Sequence, residues 1–251
     1  MFKTNEEIEI MRECGKRLAR VLDKLEEATT PGVTPHELDR LANKLIIEMG
    51  DEPSFLHYWP EGANKPYPAT LCVSTNDEVV HGIPGGRSFK ERDIVGLDLG
   101  IKHKNYHTDM ARTVTIGRID KEGDNLIKAA REALDAGIQM AREGNHIGDI
   151  GAAIFDVVKK YGFTIVEELG GHGIGQEVHE EPHIPNYGNP GEGMELKRGL
   201  TIAIEPIVNE GSGKIRLMPD GYTFKTKDGK RSAHFEHTVL ITDGAPEILT
   251  Q

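Results

Sequence analysis

Four predicted β-strands each carry one carboxylate on the side opposite their apolar residues. Successive side chains of a strand point to opposite faces, so residues two apart share a face. By this rule Asp98, Asp109, Glu205 and Glu236 lie opposite the apolar faces of segments 93–101, 106–116, 200–206 and 233–241. One such carboxylate would ordinarily be solvated at the surface. Four of them, on strands of one small protein, indicate a shared cleft.

The residues around these carboxylates favour a metal site. Several neighbours are small and would leave space for a ligand: Gly96, Gly100, Ala111 and Ala203. Converging carboxylates repel one another at low dielectric unless cations neutralise them, and two divalent ions would do so. His172 lies in the glycine-rich segment 170–175 and could add an imidazole ligand. An oxygen-rich site suits Mn, Fe or Co better than a thiolate-binding metal, with zinc left open.

Three other patterns suggest different chemistry and are weaker. His179 and His183 match the HExxH pattern of zinc proteases, which requires one helical face, and Pro182 would break that helix. Segment 170–175 lacks the last glycine of GxGxxG and has no P-loop Lys. Cys72 with His81 could form a thiol nucleophile and its base, yet a lone cysteine in an apolar segment more often packs.

Helices are predicted before the first of these strands. Apolar residues recur every three or four positions over residues 6–28, which is the pattern of an amphipathic helix. A second helix opens at Thr34, where Glu37 completes a capping box, and Gly50 ends it.

The same plan recurs later in the chain. Gly144 and Gly162 have the same separation as Gly32 and Gly50, and the apolar positions between them align. No Ser/Pro linker or charge block lies between the two copies. The sequence therefore predicts a single catalytic domain, 1–251, made of two related halves at roughly 1–117 and 118–251.

Composition narrows the function classes. Among 251 residues, 30 Lys and Arg face 41 Asp and Glu, giving a net charge of −11. This negative net charge argues against DNA or an anionic membrane as partner, since both bind preferentially to a basic surface. The chain has no apolar run of about 18 residues and no signal-peptide pattern near its start, so we expect a cytoplasmic protein. Two cysteines are too few for a disulfide framework.

Several motifs, taken together and in order, resemble methionine aminopeptidase of type I, in its bacterial form. Asp98 and Asp109 are separated by ten residues. The other matching segments are VSTNDEVVHGIP at 73–84, GHGIG at 171–175, VHEEP at 178–182, IEP at 204–206 and AHFEHT at 233–238. The likeness extends along nearly the whole chain.

This resemblance implies a fold and a ligand set. The fold would be the α/β pita-bread fold, a pseudo-twofold, curved, mainly antiparallel sheet with helices on its outer face. Asp98 would chelate one metal ion, Asp109 and Glu236 would bridge two, and His172 and Glu205 would complete the other.

The resemblance also implies a reaction. His81 and His179 would contact substrate, Glu205 would shuttle a proton, and a hydroxide activated by two divalent ions (Co, Mn, Fe or Zn) would cleave the first peptide bond. The substrate would be the N-terminal methionine of nascent polypeptides whose second residue is small. The enzyme would be a monomer that meets the ribosome transiently. The methionine pocket would have four residues at or near its wall: Tyr67, Cys72, Val178 and Tyr222.

The chain departs from the family pattern around that pocket. Gly100 stands where a hydroxyl residue is common, Val178 where phenylalanine is usual, and Tyr222 where tryptophan is frequent, and the stretch 57–65 is longer than in compact bacterial enzymes. These changes concern the shape of the pocket more than the metal chemistry.

Two alternatives differ from this reading. Aminopeptidase P and prolidase share the ligands but usually carry a substantial N-terminal domain, and only about 90 residues precede Asp98 here. A non-catalytic binding protein on the same scaffold would lack ligands, whereas all five are present.

Overall fold

The structure, a computed structural model, describes residues 2–60 and 62–251. Within these residues the four helices are α1 Asn5–Ala28, α2 Pro35–Glu48, α3 Lys121–Met140 and α4 Ile147–Tyr161. The strands of the first half are β1 Glu52–Pro53, β2 Cys72–Thr75, β3 Glu78–Val80, β4 Ile94–His103 and β5 Tyr106–Thr115. Those of the second half are β6 Thr164–Ile165, β7 Gly170–Gly173, β8 Glu180–Pro185, β9 Thr201–Ile204, β10 Ile207–Asn209, β11 Ile215–Leu217, β12 Phe224–Thr226, β13 Ser232–His234, β14 Glu236–Leu240 and β15 Glu247–Ile248.

Local sequence signals set where the helices begin and end. Thr34 accepts a hydrogen bond from the backbone N–H of Glu37 at 3.3 Å, and the Glu37 carboxylate accepts one from the Thr34 N–H at 2.8 Å. The same reciprocal cap, formed by Thr4, places the start of α1 at Asn5, one residue before the start predicted from apolar spacing. Gly162 ends α4 with φ 80°, a left-handed conformation that glycine adopts without steric cost.

One antiparallel sheet joins the two halves of the chain. Its main strand order is β1-β4-β5-β14-β9-β7-β8, and β2 and β15 pair with β4 and β14 as additional strands. The long strands β4 and β5 come from the first half, whereas β7, β8, β9 and β14 come from the second. Two three-stranded sheets, β13-β10-β6 and β11-β12-β3, lie beside it in the described part of the chain. The expected α/β class with a mainly antiparallel sheet is confirmed.

Each helix pair covers one half of the sheet with apolar side chains. Leu18, Leu22 and Leu25 of α1 pack with Leu97 and Leu99 of β4 in one buried cluster. The second cluster joins α3 and α4 to β9 and β14 through four residues, among others: Leu134, Ile154, Ile202 and Val239. Because strand side chains alternate, these clusters use one face of the sheet and leave the other face for the polar residues.

The predicted strand 233–241 is interrupted, which differs from the sequence expectation. Residues 232–234 form β13 and pair with β10, whereas residues 236–240 form β14 and pair with β5 and β9. Phe235 lies between the two strands and is buried in the second apolar cluster. The segment therefore crosses from a small sheet to the main sheet at this residue.

Glycine packing in α1 generates a stability prediction. A Cβ added at Gly15 would lie 2.1 Å from the carbonyl oxygen of Leu249, so α1 and the C-terminal segment after β15 would have to move apart. We expect Gly15→Ala to cost about 1 to 3 kcal/mol, more than the roughly 1 kcal/mol that alanine gains in helix propensity. The midpoint of thermal unfolding should fall by about 2 to 4 °C per kcal/mol.

The matched control is Lys16→Ala, at the neighbouring exposed position of α1. Its midpoint should stay near that of the wild type. A Gly15→Ala variant at least as stable as the wild type would show that α1 and the C-terminal segment do not approach each other in this way.

Candidate metal centre

The register of the main sheet puts the candidate ligands on one face. Asp98 is directly opposite Ala111, which is directly opposite Glu236, and directly opposed residues in antiparallel strands point the same way. Asp109 is two residues from Ala111 and shares its face. This row therefore brings one carboxylate each from β4, β5 and β14 to the same side.

A second row adds the remaining two side chains. Thr238 of β14 is opposite Ala203 of β9, which is opposite His172 of β7. Thr238 lies two residues beyond Glu236, so both rows share one face. Glu205 follows β9 two residues after Ala203, and its Oε1 lies 3.7 Å from His172 Nε2. Ligand atoms of Asp109, His172 and Glu236 lie within 4.8 Å of one another.

Burial of these carboxylates disfavours their charged forms. Asp98, Asp109 and Glu236 are each at least nine-tenths buried. Burial, and then the neighbouring charges of Asp109 and Glu205, raise the pKa of Asp98 well above its usual value. The same causes, burial first and then the Glu205 charge, raise the pKa of Asp109 to about 7, and burial followed by the Asp109 charge raises that of Glu236. The cluster needs positive charge to ionise fully at neutral pH.

His172 presents a nitrogen lone pair to this cluster. Its Nδ1 lies 2.8 Å from the backbone carbonyl of Gly173, and since a carbonyl only accepts hydrogen bonds, Nδ1 carries the proton. In the neutral ring the lone pair is then on Nε2, which faces Glu205. A ring nitrogen fixed in this way by a backbone carbonyl is typical of metal-binding histidines.

The residues fit a site for divalent cations. Asp98 Oδ1 is buried and has no hydrogen-bond partner among the described residues, which is costly unless a cation binds it. Four carboxylates and one imidazole form a hard, oxygen-rich donor set.

A cleft of about 620 Å³, including its open mouth, leads to these side chains. The five candidate ligands share its lining with His81 and His179 and with aromatic and apolar residues. His179 forms ring contacts with His172 at 4.4 Å between centroids and with Tyr58 at 5.2 Å. The His179 residue is exposed to solvent, yet the surrounding protein desolvates its ring, and this desolvation, followed by the proximity of His172, lowers the pKa of His179, which favours the neutral ring. Burial likewise lowers the pKa of His81.

The HExxH alternative does not correspond to a helix. Residues 180–185 form strand β8, in which His183 is paired with His172. His179 lies in the cleft lining, whereas His183 does not. The two histidines therefore have no common helical face from which to bind zinc.

An apolar cluster forms one wall of the cleft. Of the predicted pocket residues, Tyr67, Cys72 and Tyr222 line the cleft, and Val178 packs in the same buried cluster without lining it. Burial raises the pKa of the Cys72 thiol well above its usual value, so this residue is a protonated packing group. The Tyr222 hydroxyl donates to the carbonyl of Lys65, which ties the segment 57–65 to this wall.

Three residues near the cleft were missed by sequence reasoning. A Cβ at Gly100 would lie 3.1 Å from Ser54 Oγ. The hydroxyl of Ser54, the residue that follows β1, therefore occupies the space of the missing side chain. His234 Nε2 lies 3.4 Å from Glu205 Oε2 and is otherwise unpartnered. The Tyr58 hydroxyl lies 2.8 Å from His179 Nδ1. Ser54 and Tyr58 are far from their partners in sequence, and only His234, two residues before Glu236, carried a local signal.

Comparison with known proteins agrees with this geometry. A model of metallopeptidase family M24 matches residues 9–243. A methionine aminopeptidase of Clostridium perfringens is 43% identical over 250 residues, covering 100% of this chain and 98% of that protein. The chain belongs to the methionine aminopeptidases of metallopeptidase family M24. The family resemblance in the sequence is confirmed, and the protein is a hydrolase.

Solved structures confirm the fold. The crystal structure of methionine aminopeptidase from Thermotoga maritima matches with a TM-score of 0.95 at 40% identity, covering 100% of this chain and 99% of that one. A prolidase from Pyrococcus furiosus matches with a TM-score of 0.78 at 24% identity, and this chain covers 65% of it. The second likeness shows the shared pita-bread fold alone.

The helices of residues 2–60 and 62–251 include no candidate for a membrane-spanning segment, because each of them is too short or too polar.

The buried charges generate a prediction about metal binding and stability. Mn²⁺ should raise the midpoint of thermal unfolding of the wild type. At a Mn²⁺ concentration one hundred times its Kd, binding should increase the free energy of unfolding by about 2.7 kcal/mol. Asp109→Asn keeps the shape but removes one repelling charge, so the metal-free variant should be at least as stable as the metal-free wild type. The Mn²⁺ shift should largely disappear. Differential scanning calorimetry checks both.

Asp156→Asn, at an exposed position of α4, is the control and should keep the full Mn²⁺ shift. A metal-free Asp109→Asn that is less stable yet retains the shift would contradict a repulsive, cation-binding cluster.

Proposed function

We propose that this enzyme removes the N-terminal methionine from polypeptides whose second residue is small. The observation that carries the proposal is the meeting of five potential ligands, two histidines and an apolar wall in one cleft. The relatives named methionine aminopeptidase, of nearly the same length, support the same substrate.

Five side chains would hold two divalent ions, of Co, Mn, Fe or Zn. Asp98 would bind one ion, Asp109 and Glu236 would bridge the pair, and His172 and Glu205 would complete the second. When bound, such ions polarise a carbonyl and lower the pKa of water near neutrality. The unpartnered Asp98 oxygen, and the His172 Nδ1 that is hydrogen-bonded to a carbonyl and so leaves Nε2 available to a metal ion, support binding of cations by these residues.

The chain's own groups would move the protons. As the water oxygen bonds to the first peptide carbonyl carbon, Glu205 would take up a water proton and deliver it to the nitrogen of the breaking C–N bond. His179 would donate an N–H to the carbonyl oxygen as negative charge develops there. His81, held in the same cleft, would hydrogen-bond near the scissile nitrogen.

The apolar wall would select the first side chain. Tyr67, Cys72 and Tyr222 line the cleft next to the candidate ligands and suit an unbranched thioether. Val178 would act from behind this wall, because it packs in the cluster without lining the cleft. A difference of one methylene in such a pocket changes binding by only about 1 to 3 kcal/mol, so leucine should be a poor substrate but a measurable one.

The substrate also suggests where the enzyme works. N-terminal methionine is present on new chains in the cytosol, so we propose a cytosolic monomer whose only contact with the ribosome is transient. With a net charge of −11, the protein has no general attraction for nucleic acid.

The direct test is metal-dependent release of methionine from the peptide Met-Ala-Ser by the chelator-treated enzyme after Mn²⁺ or Co²⁺ is added back. Leu-Ala-Ser should be cleaved more slowly, and Met-Trp-Ser and a Gly-Pro peptide should be nearly inert. The scissile bond must pass the rim of the cleft to reach the candidate ligands. A large second residue should block this approach, so peptides that carry one should not be cleaved. Values of kcat/KM across the four peptides measure this.

Glu236→Gln, purified in the same way, is the control for contaminating peptidases and should be inactive. Equal rates for Met-Ala-Ser and Met-Trp-Ser would contradict the requirement for a small second residue. Preferential cleavage of the Gly-Pro peptide would instead indicate a proline-specific peptidase.

A further inference from the structure

Tyr58 lies on a firmly anchored part of the rim of the cleft. Its carbonyl accepts a hydrogen bond from the Tyr67 N–H at 2.8 Å, and the N–H of the preceding residue, His57, donates to the Tyr67 carbonyl at 2.9 Å. The Tyr58 N–H donates to the Phe55 carbonyl at 2.9 Å. Tyr67 is itself buried, and its hydroxyl is bonded to the Gly82 carbonyl at 3.0 Å. The base of the segment 57–65 is therefore fixed to the body of the protein.

From this base the Tyr58 ring reaches across to His179. Its hydroxyl lies 2.8 Å from Nδ1 of His179, and the two rings are 5.2 Å apart at an angle of 51°. On its other side the His179 ring contacts His172 at 4.4 Å. Among the described residues, Tyr58 supplies the only hydrogen bond to this imidazole. The orientation of His179 therefore depends on one hydroxyl and two ring contacts.

The hydrogen-bonding capacity of the two groups favours the Tyr58 hydroxyl as the donor. A neutral imidazole has one N–H donor and one acceptor nitrogen. If Nδ1 carried the proton, the Tyr58 hydroxyl would accept from it, and its own proton could be donated only to solvent, since the described residues offer no other acceptor. If the hydroxyl donates to Nδ1, both groups are satisfied and the proton of the imidazole is on Nε2.

We propose that Tyr58 is a positioning residue for the hydrolytic reaction, whose hydroxyl donates to Nδ1 of His179 and thereby holds an Nε2–H donor toward the substrate carbonyl oxygen. This inference rests on the proposed function of His179 above. It assigns a role to a residue of the segment 57–65. Oriented donors of this kind lose effect when their supporting hydrogen bond is removed.

The first test is a double-mutant cycle. Removing the His179 donor with His179→Ala should lower kcat for Met-Ala-Ser about a hundredfold. Tyr58→Phe keeps the ring and removes only the hydroxyl, and should lower kcat about tenfold while KM changes less than twofold. In the His179→Ala background, Tyr58→Phe should have no further effect, because Tyr58 acts through that ring. Tyr187→Phe, at an exposed tyrosine outside the cleft, is the matched control.

The second test measures the tautomer of the His179 imidazole directly and does not depend on enzyme activity. Side-chain ¹⁵N spectra of the histidines, recorded on the full chain with Zn²⁺ as a diamagnetic ion and again without metal, report the tautomer. His179→Ala identifies the signal. The wild type should show the Nε2–H form, and Tyr58→Phe should show a mixture of both tautomers.

Three results would overturn the inference: an Nδ1–H tautomer in the wild type, the same tautomer in Tyr58→Phe as in the wild type, or an equal loss from Tyr58→Phe with and without His179. Failure of the proposed function looks different, because an enzyme inactive on Met-Ala-Ser would still give the Nε2–H spectrum.

Discussion

The confinement of mutually repelling carboxylates in one buried cluster is the constraint on which the candidate site depends. Two like charges about 4 Å apart cost roughly 4 kcal/mol at an effective dielectric constant of 20, and Asp98, Asp109 and Glu236 are all buried on one sheet face. Burial first, and then this repulsion, raise the pKa values of these three residues. Divalent cations convert the same arrangement from a destabilising cluster into a binding site.

The opposite face of the sheet holds the carboxylates in place. Leu97 and Leu99 alternate with Asp98 and pack under α1, whereas Ile202 and Val239 pack under α3 and α4. A slip of one residue in any of these strands would move its apolar side chains into the cleft and its carboxylate into the core. The hydrophobic energy of the helix–sheet layers therefore fixes the register, and the register places the ligands.

Much of this centre could be predicted from the sequence because strand periodicity is local. The alternation around Asp98 and Asp109 identified the face on which each carboxylate lies, and Pro182 excluded a helix for the HExxH pattern. The capping residues Thr34 and Glu37 likewise predicted where α2 begins.

Other features depend on contacts between distant segments and had no local pattern. Tyr58 and His179 are separated by more than a hundred residues, and Ser54 is more than forty residues from Gly100, whose missing side chain it replaces. The break at Phe235 was missed because both of its flanking strands keep the same alternation, and only their partners in different sheets reveal it. Whether Val178 contacts a substrate also depends on the packing of a wall that periodicity does not describe.

The central claim is that the five converging side chains bind a pair of divalent ions, and anomalous diffraction tests it most directly. Crystals of the full chain grown with Mn²⁺ would be measured above and below the manganese absorption edge. We expect two anomalous peaks, with Asp109 and Glu236 between them, Asp98 at one and His172 and Glu205 at the other. A single peak, or peaks only away from these five residues, would contradict the account.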